Sequence, residues 1–197
     1  MTNKPTLSFN VLLLAGGKSS RMGGEDKALK LYQDKAMIEH LIAKLPQDRV
    51  NRLVISCNRN FEKYKRYSDA LVSDHSYPNI EPFAGPLLGI LSAMDAYPDD
   101  HWLILPCDTP DISSEIIERL IHAYEQSSAL VSCLAVEGKL QPLHCLLSSS
   151  VRDSIVEFLI DGKRRAQEWI RSQEPLVVDC SDESENLKNI NAPSDLC

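Results

Sequence analysis

Four short apolar runs, NVLLLA, RLVISC, ALVSD and WLILPCD, recur along the first half of the chain, and each is separated from the next by a stretch with helical spacing of its hydrophobes. Runs with little or no polar alternation are strands buried on both faces, and such strands belong to parallel sheets covered by helices. Between the first two, Ile38, Leu41, Ile42 and Leu45 share a helical face, and a helical piece spans Phe61 to Tyr67 before the third. Gly85 and Pro86 then open a helix whose Leu87, Leu88, Leu91 and Met94 lie together, with proline suited to the first turn. Four alternations of strand and helix predict a Rossmann-like, doubly wound α/β sheet with right-handed crossovers.

The second half continues less regularly. Ser113 or Ser114 caps a helix carrying Ile117, Leu120, Ile121 and Tyr124 on one face. ALVSCLAV and PLHCLLS read as two strands joined by a turn through Glu137, Gly138 and Lys139, a small antiparallel portion of a mostly parallel sheet. A helix from Val151 to Leu159, the basic turn DGKRR, a helix through Trp169 and a strand PLVVD complete the sheet, and DCSDESEN reads as a short acidic loop. With 197 residues the chain suits one core, so residues 1–197 are expected to form a single domain.

Composition narrows the function classes. A net charge of -7 argues against non-specific nucleic-acid binding and against attachment to an anionic membrane. The chain has no apolar run long enough to span a bilayer, and MTNKPTLSFN lacks the apolar core of a signal peptide, so a cytoplasmic protein is expected. Six cysteines show no C-x-x-C pair and no zinc spacing; Cys57, Cys107, Cys133 and Cys145 lie in or beside apolar segments, as buried reduced thiols do.

Against that acidic background one basic loop stands out. In NVLLLAGGKSSRMGGEDKA, Gly16, Gly17, Gly23 and Gly24 alternate with Lys18, Arg21 and Lys27 directly after an apolar strand. Glycine lets backbone N–H groups approach an anion closely, and the cations add charge that backbone dipoles do not supply. The loop suits a nucleoside triphosphate tail. It is not a P-loop, because the opening glycine of that motif would fall at Leu12, inside the strand, and the paired glycines do not fit G-x-G-x-x-G.

In an open parallel sheet the ligand lies beyond the carboxyl ends of the strands. Ala15 to Gly17, Ser56 to Arg59, Asp74 and Asp108 follow the four predicted strands and are expected to converge at that edge. A triphosphate calls for a divalent cation, and a hard cation calls for carboxylate oxygen. Asp108 in LPCDTPDI is the best-placed ligand, between Pro106 and Pro110, with Asp111 in reserve as a turn or helix-start residue. Lys27 and Arg21 would neutralise phosphate oxygens and a leaving pyrophosphate, so nucleotidyl transfer is the reaction implied. His144, alternating with apolar residues, reads as a structural histidine.

LLLAGGKSSRMGGEDKALKL resembles the L-x-G-G-x-S-x-R-M-G-x-D-K signature of the molybdenum cofactor nucleotidyltransferases, the guanylyltransferase branch in particular. The likeness continues through ISCNRN, FAGPLLGILSAM, PCDTPDIS, DGKRRAQEW and NINAPSDL, and so covers essentially the whole chain. The resemblance implies transfer of GMP from GTP to the phosphate of Mo-molybdopterin, with release of pyrophosphate. It implies GTP binding by Leu14, Ala15, Gly16, Gly17, Lys27, Ser56, Asp74 and Asp108, and catalysis by Arg21, Lys27 and Asp108. It further implies Mg2+ on Asp108, with Mn2+ as a substitute. Gly89, Arg165, Asn189 and Asn191 fall at positions tied to the molybdopterin side or to site closure, and the N-terminal half would bind nucleotide while the C-terminal half contributes the molybdopterin side. Molybdenum-insertion proteins and molybdoenzyme chaperones are the protein partners the resemblance implies. Where relatives often carry asparagine at the end of the second strand, this chain has Ser56, which offers a base fewer donors and acceptors. A cytidylyltransferase for the same cofactor, a sugar-phosphate nucleotidyltransferase and an inactive GTP-binding regulatory module are the alternatives.

Overall fold

The structure, a computed structural model, describes residues 6–16, 26–68, 70–74, 77–81 and 84–190. The four apolar runs form β1 (Phe9–Leu14), then, after a two-stranded ribbon β2 (Leu31–Tyr32) and β3 (Lys35–Ala36) and helix α1 (Met37–Ile42), β4 (Val50–Ser56). Helix α2 (Phe61–Tyr64), β5 (Ala70–Val72), α3 (Pro86–Ala96) and β6 (His101–Pro106) follow. The second half supplies α4 (Ser114–Glu125), β7 (Val131–Val136), β8 (Lys139–Ser148), α5 (Arg152–Ile160), α6 (Ala166–Ser172) and β9 (Leu176–Asp179).

Seven strands make one sheet in the order β5-β4-β1-β6-β8-β7-β9. The pairs β5/β4, β4/β1 and β1/β6 are parallel; β8 runs antiparallel to both β6 and β7, and β9 is parallel to β7. Only β8 is therefore inverted, which is the antiparallel portion expected from the hairpin signal at Glu137 and Gly138, both at positive φ. From β1 the chain moves outward through β4 to β5 and then returns to the other side of β1 as β6, so the strand order reverses between β1 and β6.

Alternation along the strands sorts the hydrophobes onto two faces. Phe9, Val11 and Leu13 of β1, Ile55 of β4 and Leu103 and Leu105 of β6 pack with α1, α2 and α4. Leu12, Val54, Trp102 and Ile104 point the other way, onto α3, α5 and α6. Burial on both faces removes the period-2 polar alternation, so the runs read as continuously apolar. Ser113 is the cap of α4, its hydroxyl accepting from the Ile116 N–H.

Several details differ from the sequence reading: the helical piece expected to reach Tyr67 ends as α2 at Tyr64, and the β2–β3 ribbon is an addition. The first helix ends at Ile42, and Leu45 packs from the turn beyond it. The strand read as PLHCLLS begins three residues earlier, at Lys139, because a register shift between Cys133 and Leu134 lets β7 and β8 pair down to the turn. The acidic loop is wound into 3-10 turns over Ser181–Leu187.

Candidate nucleotide site

The hydrogen-bond ladders run one residue past the strands on either side of the reversal point. Ala15 N–H donates to the Ser56 carbonyl at 2.9 Å, and Cys107 N–H to the Leu14 carbonyl at 3.2 Å. These bonds hold the carboxyl ends of β1, β4 and β6 in fixed relation, and from those ends project most of the polar residues anticipated from the sequence.

Lys27 begins a short 3-10 turn, Lys27–Leu29, and its Nζ lies 3.3 Å from Oδ2 of Asp108 at the end of β6. Both side chains are partly buried, the lysine 19% and the aspartate 30% exposed, so each keeps some access to the open edge of the site. Residues 81 positions apart meet here because β6 returns beside β1. The Asp108 carbonyl is also engaged, accepting from Ile190 N–H at 2.8 Å, which brings the C-terminal segment with exposed Asn189 to the same loop.

On the other side of β1, Asn58 and Asp74 make a reciprocal pair. Asn58 Nδ2 donates to Asp74 Oδ2 at 3.1 Å, and Asp74 N–H donates to Asn58 Oδ1 at 2.9 Å. The Asp74 carboxylate is thereby fixed beyond β5. Gly16 sits over this loop, where a Cβ would lie 3.6 Å from Asn58 Nδ2. Ser56 is buried at the end of β4, and its hydroxyl faces α3 at Gly89, where a Cβ would stand 2.7 Å from Ser56 Oγ and 3.6 Å from Leu14 Cδ2. Glycine at position 89 is thus required by the close approach of α3 to the ends of β1 and β4.

Leu14, Ala15, Gly16, Lys27, Ser56, Asp74, Gly89 and Asp108 accordingly lie around the carboxyl ends of neighbouring strands and the first turns of α3. Arg165 is not drawn in: it is 82% exposed and pairs with Glu168 at 3.1 Å. Its neighbour Arg164 lies closer to the sheet edge. The Arg164 carbonyl is 3.5 Å from where a Cβ on Gly85 would be, at the start of α3, and its guanidinium donates to the Leu159 carbonyl at 2.7 Å. Gly17, Arg21 and Asn191 lie outside the described residues. Asp111, the reserve ligand, accepts from the Tyr32 hydroxyl at 2.6 Å and ties the β2–β3 ribbon to the loop after β6.

Two supporting groups were not singled out as site residues from the sequence, although Asp26 is the aspartate of the D-K pair that ends the signature. Asp26 is a buried carboxylate held by Arg59 and Asn60. Thr109, fully buried beside Asp108, shares a 2.9 Å hydrogen bond with His144 Nε2 on β8, and burial holds the imidazole pKa down to about 4. His144 is therefore the neutral structural histidine that its alternation implied. Burial also pushes the Cys107 thiol well above its ordinary pKa, with the Asp108 charge adding to the effect, which is the reverse of what a nucleophilic thiolate needs. Cys57, Cys133, Cys145 and Cys180 are likewise buried and free.

A divalent cation fits this donor set. Asp108 offers hard carboxylate oxygen at the exposed edge, and no cluster of three or more ligating side chains occurs among the described residues. Mg2+ is commonly held in that way, by one or two carboxylates, water and substrate phosphates.

Comparison with known proteins gives the chain a family and its fold a set of relatives. Residues 11–176 match the family model of the MobA-like NTP transferase domain. Among curated proteins, the molybdenum cofactor guanylyltransferase of Shewanella amazonensis is 34% identical, covering 95% of this chain and 93% of its own. That of Haemophilus influenzae is 31% identical over 97% of both chains. Among solved structures, molybdopterin-guanine dinucleotide biosynthesis protein A from Archaeoglobus fulgidus superposes with a TM-score of 0.74 over 95% of each chain at 20% identity. CMP:2-keto-3-deoxy-manno-octonic acid synthetase, solved with CTP, shares the fold at a TM-score of 0.67 and 12% identity, over 95% of this chain and 94% of its own.

Proposed function

Because the chain belongs to the molybdenum cofactor guanylyltransferases and carries their MobA-like NTP transferase domain, we propose that it transfers GMP from GTP to the terminal phosphate of Mo-molybdopterin, releasing pyrophosphate. The observation that carries this reading is the meeting of Lys27 with Asp108 at the point where the strand order reverses. A cation and a carboxylate 3.3 Å apart, both partly exposed at the edge of the sheet, would provide a phosphate contact and a metal contact side by side.

In this reading the nucleoside lies over Leu14, Ala15 and Gly16, with Ser56 and Asp74 toward the base and ribose. The fixed Asn58–Asp74 pair presents an acceptor that needs no reorganisation when the nucleotide arrives. Lys27, with Arg21 and Gly17 of the glycine-rich loop, takes the phosphates. An oxygen of the molybdopterin phosphate attacks the α-phosphorus of GTP. The new P–O bond forms as the bond from the α-phosphorus to the bridging oxygen breaks, and pyrophosphate departs with that electron pair. Since the nucleophile is a substrate phosphate oxygen, no protein nucleophile is required, consistent with the buried, protonated Cys107. Catalysis rests on positioning and on neutralisation of the charge that develops on the leaving group.

Asp108 would hold Mg2+, with Mn2+ as substitute; when bound, the ion supplies charge to the phosphates beyond what Lys27 provides. The C-terminal half serves the acceptor through Arg165, Asn189 and Asn191, on the molybdopterin side or in closing the site, and Gly89 of α3 joins them from the N-terminal half. Chain 1–197 works as one unit in this scheme, in the cytoplasm, with molybdenum-insertion proteins and molybdoenzyme chaperones as partners. No helix among the described residues is long and apolar enough to cross a membrane.

The test is pyrophosphate release from GTP, CTP and ATP with Mg2+, with and without Mo-molybdopterin. Acceptor-dependent release from GTP alone is expected, and chelation of the metal should abolish it. Preference for CTP would move the activity to cytidylyl transfer, and tight GTP binding without release would make the protein a regulatory module.

A further inference from the structure

Asp26 and Asn60 each precede a short helix, and aspartate and asparagine are among the residues best suited to cap one. Neither does so. The Asp26 side chain makes no bond to its own 3-10 turn, and the Asn60 side chain none to α2, although Asn60 adopts the left-handed conformation at φ +57°. Each spends its side chain on the other: Asn60 Nδ2 donates to Asp26 Oδ2 at 2.9 Å, while Arg59 Nε donates to Asp26 Oδ1. The Asp26 carboxylate is only 6% exposed, against 42% for Arg59, so one partner of this ion pair has been taken out of water. Burying a carboxylate costs free energy that its partners only partly return. Two forgone caps and a buried charge are thus accepted in order to bond residue 26 to residues 59 and 60.

The location supplies the reason. Asp26 is extended, at φ -72° and ψ 117°, so its side chain and that of Lys27 leave the backbone in divergent directions. With the carboxylate held by Arg59 and Asn60 on one side, Lys27 is aimed at Asp108 on the other. The same short segment, Ser56 to Asn60, carries Asn58, which fixes Asp74. The end of β4 therefore grips both the base-side acceptor and the root of the phosphate-side lysine.

Resting on the assignment of Lys27 to the GTP phosphates, we infer that Asp26, clamped by Arg59 and Asn60, is a positioning residue for Lys27 that sets the distance between the base and phosphate contacts. Misplacing a charge by about 1 Å costs up to roughly a hundredfold in rate.

The test is a kinetic cycle of Asp26→Asn, Lys27→Ala and the double variant in the full chain, read as GTP-dependent pyrophosphate release, with urea unfolding alongside. D26N is expected to lower kcat about ten- to a hundredfold with KM for GTP changed less, and to add nothing in the K27A background. An equal further loss in that background would make Asp26 merely structural and overturn the inference. So would wild-type turnover by D26N beside an impaired K27A. A K27A variant with wild-type turnover would instead remove the phosphate assignment itself, and this inference with it. If D26N does not fold, Arg59→Lys, which keeps the charge but loses the guanidinium fork, enters the same cycle with the same outcomes.

Discussion

At the scale of single residues the site works by contacts between groups that the sequence keeps far apart. Lys27→Ala and Asp108→Asn each remove one half of the charge arrangement at the reversal point, and each is expected to lower kcat about a hundred- to a thousandfold. Steady-state pyrophosphate release checks both, with D108N distinguished by a raised requirement for Mg2+. Gly89 makes a different prediction, because its constraint is steric. A methyl group there would stand 2.7 Å from Ser56 Oγ, so either the hydroxyl turns away or α3 backs off. Gly89→Ala should cost about 1–3 kcal/mol of stability. Ser56→Ala leaves the ordinary 3.6 Å contacts with Cβ of residue 56 and with Leu14 Cδ2 and should recover most of that loss, which urea unfolding of the two single variants and the double variant measures. Ser56 and Gly89 were both visible in the sequence as candidates, but their mutual contact was not, since nothing in the spacing of residues 56 and 89 says that a helix start abuts a strand end. The bonding of Asp26 and Thr109 was hidden for a related reason: Asp26 is visible as the residue before Lys27 in the signature, but a buried polar side chain looks, in sequence, like any turn residue.

Among the elements, those with long apolar patterns were readable and those defined by tertiary contacts were not. The four parallel strands and α3 and α4 follow from runs of Leu, Ile and Val that fill both faces of the sheet. The β2–β3 ribbon has only two residues on each strand and turns through Gln33 and Asp34 at positive φ without a glycine, so neither periodicity nor turn chemistry announced it. The acidic segment Ser181–Leu187 is a similar case. Its charges read as a solvated loop, yet Arg119 of α4 binds Asp182 at 2.9 Å, and Glu183 accepts from Ser113 at 2.8 Å and from Asn186 at 3.1 Å. Those bonds secure the segment against α4 just before it delivers Ile190 N–H to the Asp108 carbonyl. Partly exposed ion pairs of this kind contribute about 1 kcal/mol or less to global stability. Arg119→Ala should therefore barely change the unfolding midpoint while freeing the strap locally. Hydrogen exchange at Ile190 is the measurement: faster exchange in R119A is expected, and unchanged protection would mean that the Ser113–Glu183 and Asp108 contacts hold the strap without Arg119.

For the whole molecule, the inverted strand β8 joins the nucleotide-side sheet to the β7–β9 half through one polar contact as well as through its ladder. His144, on β8, reaches Thr109 in the loop that carries Asp108, and the ring is buried with its pKa held down to about 4 from an ordinary 6.5. In the unfolded chain that imidazole takes up a proton as the pH falls below about 6.5, whereas the folded protein refuses it until about pH 4. The unfolded state thus binds more protons across this window. Stability is complete above pH 6.5 and declines as acid is added, with most of the loss between pH 6 and 4. By pH 4.5 this one ring should have removed roughly 2 kcal/mol. His144→Gln offers Thr109 a polar partner that does not titrate, and it should flatten this part of the profile while leaving other acid-sensitive groups unchanged. Urea unfolding of wild type and H144Q at pH 7.5, 5.5 and 4.5 separates the contributions: the two proteins should converge in stability as the pH falls. A constant gap across the three conditions would show that His144 gains its proton in the folded state, and that the β8 contact to the Asp108 loop tolerates an imidazolium.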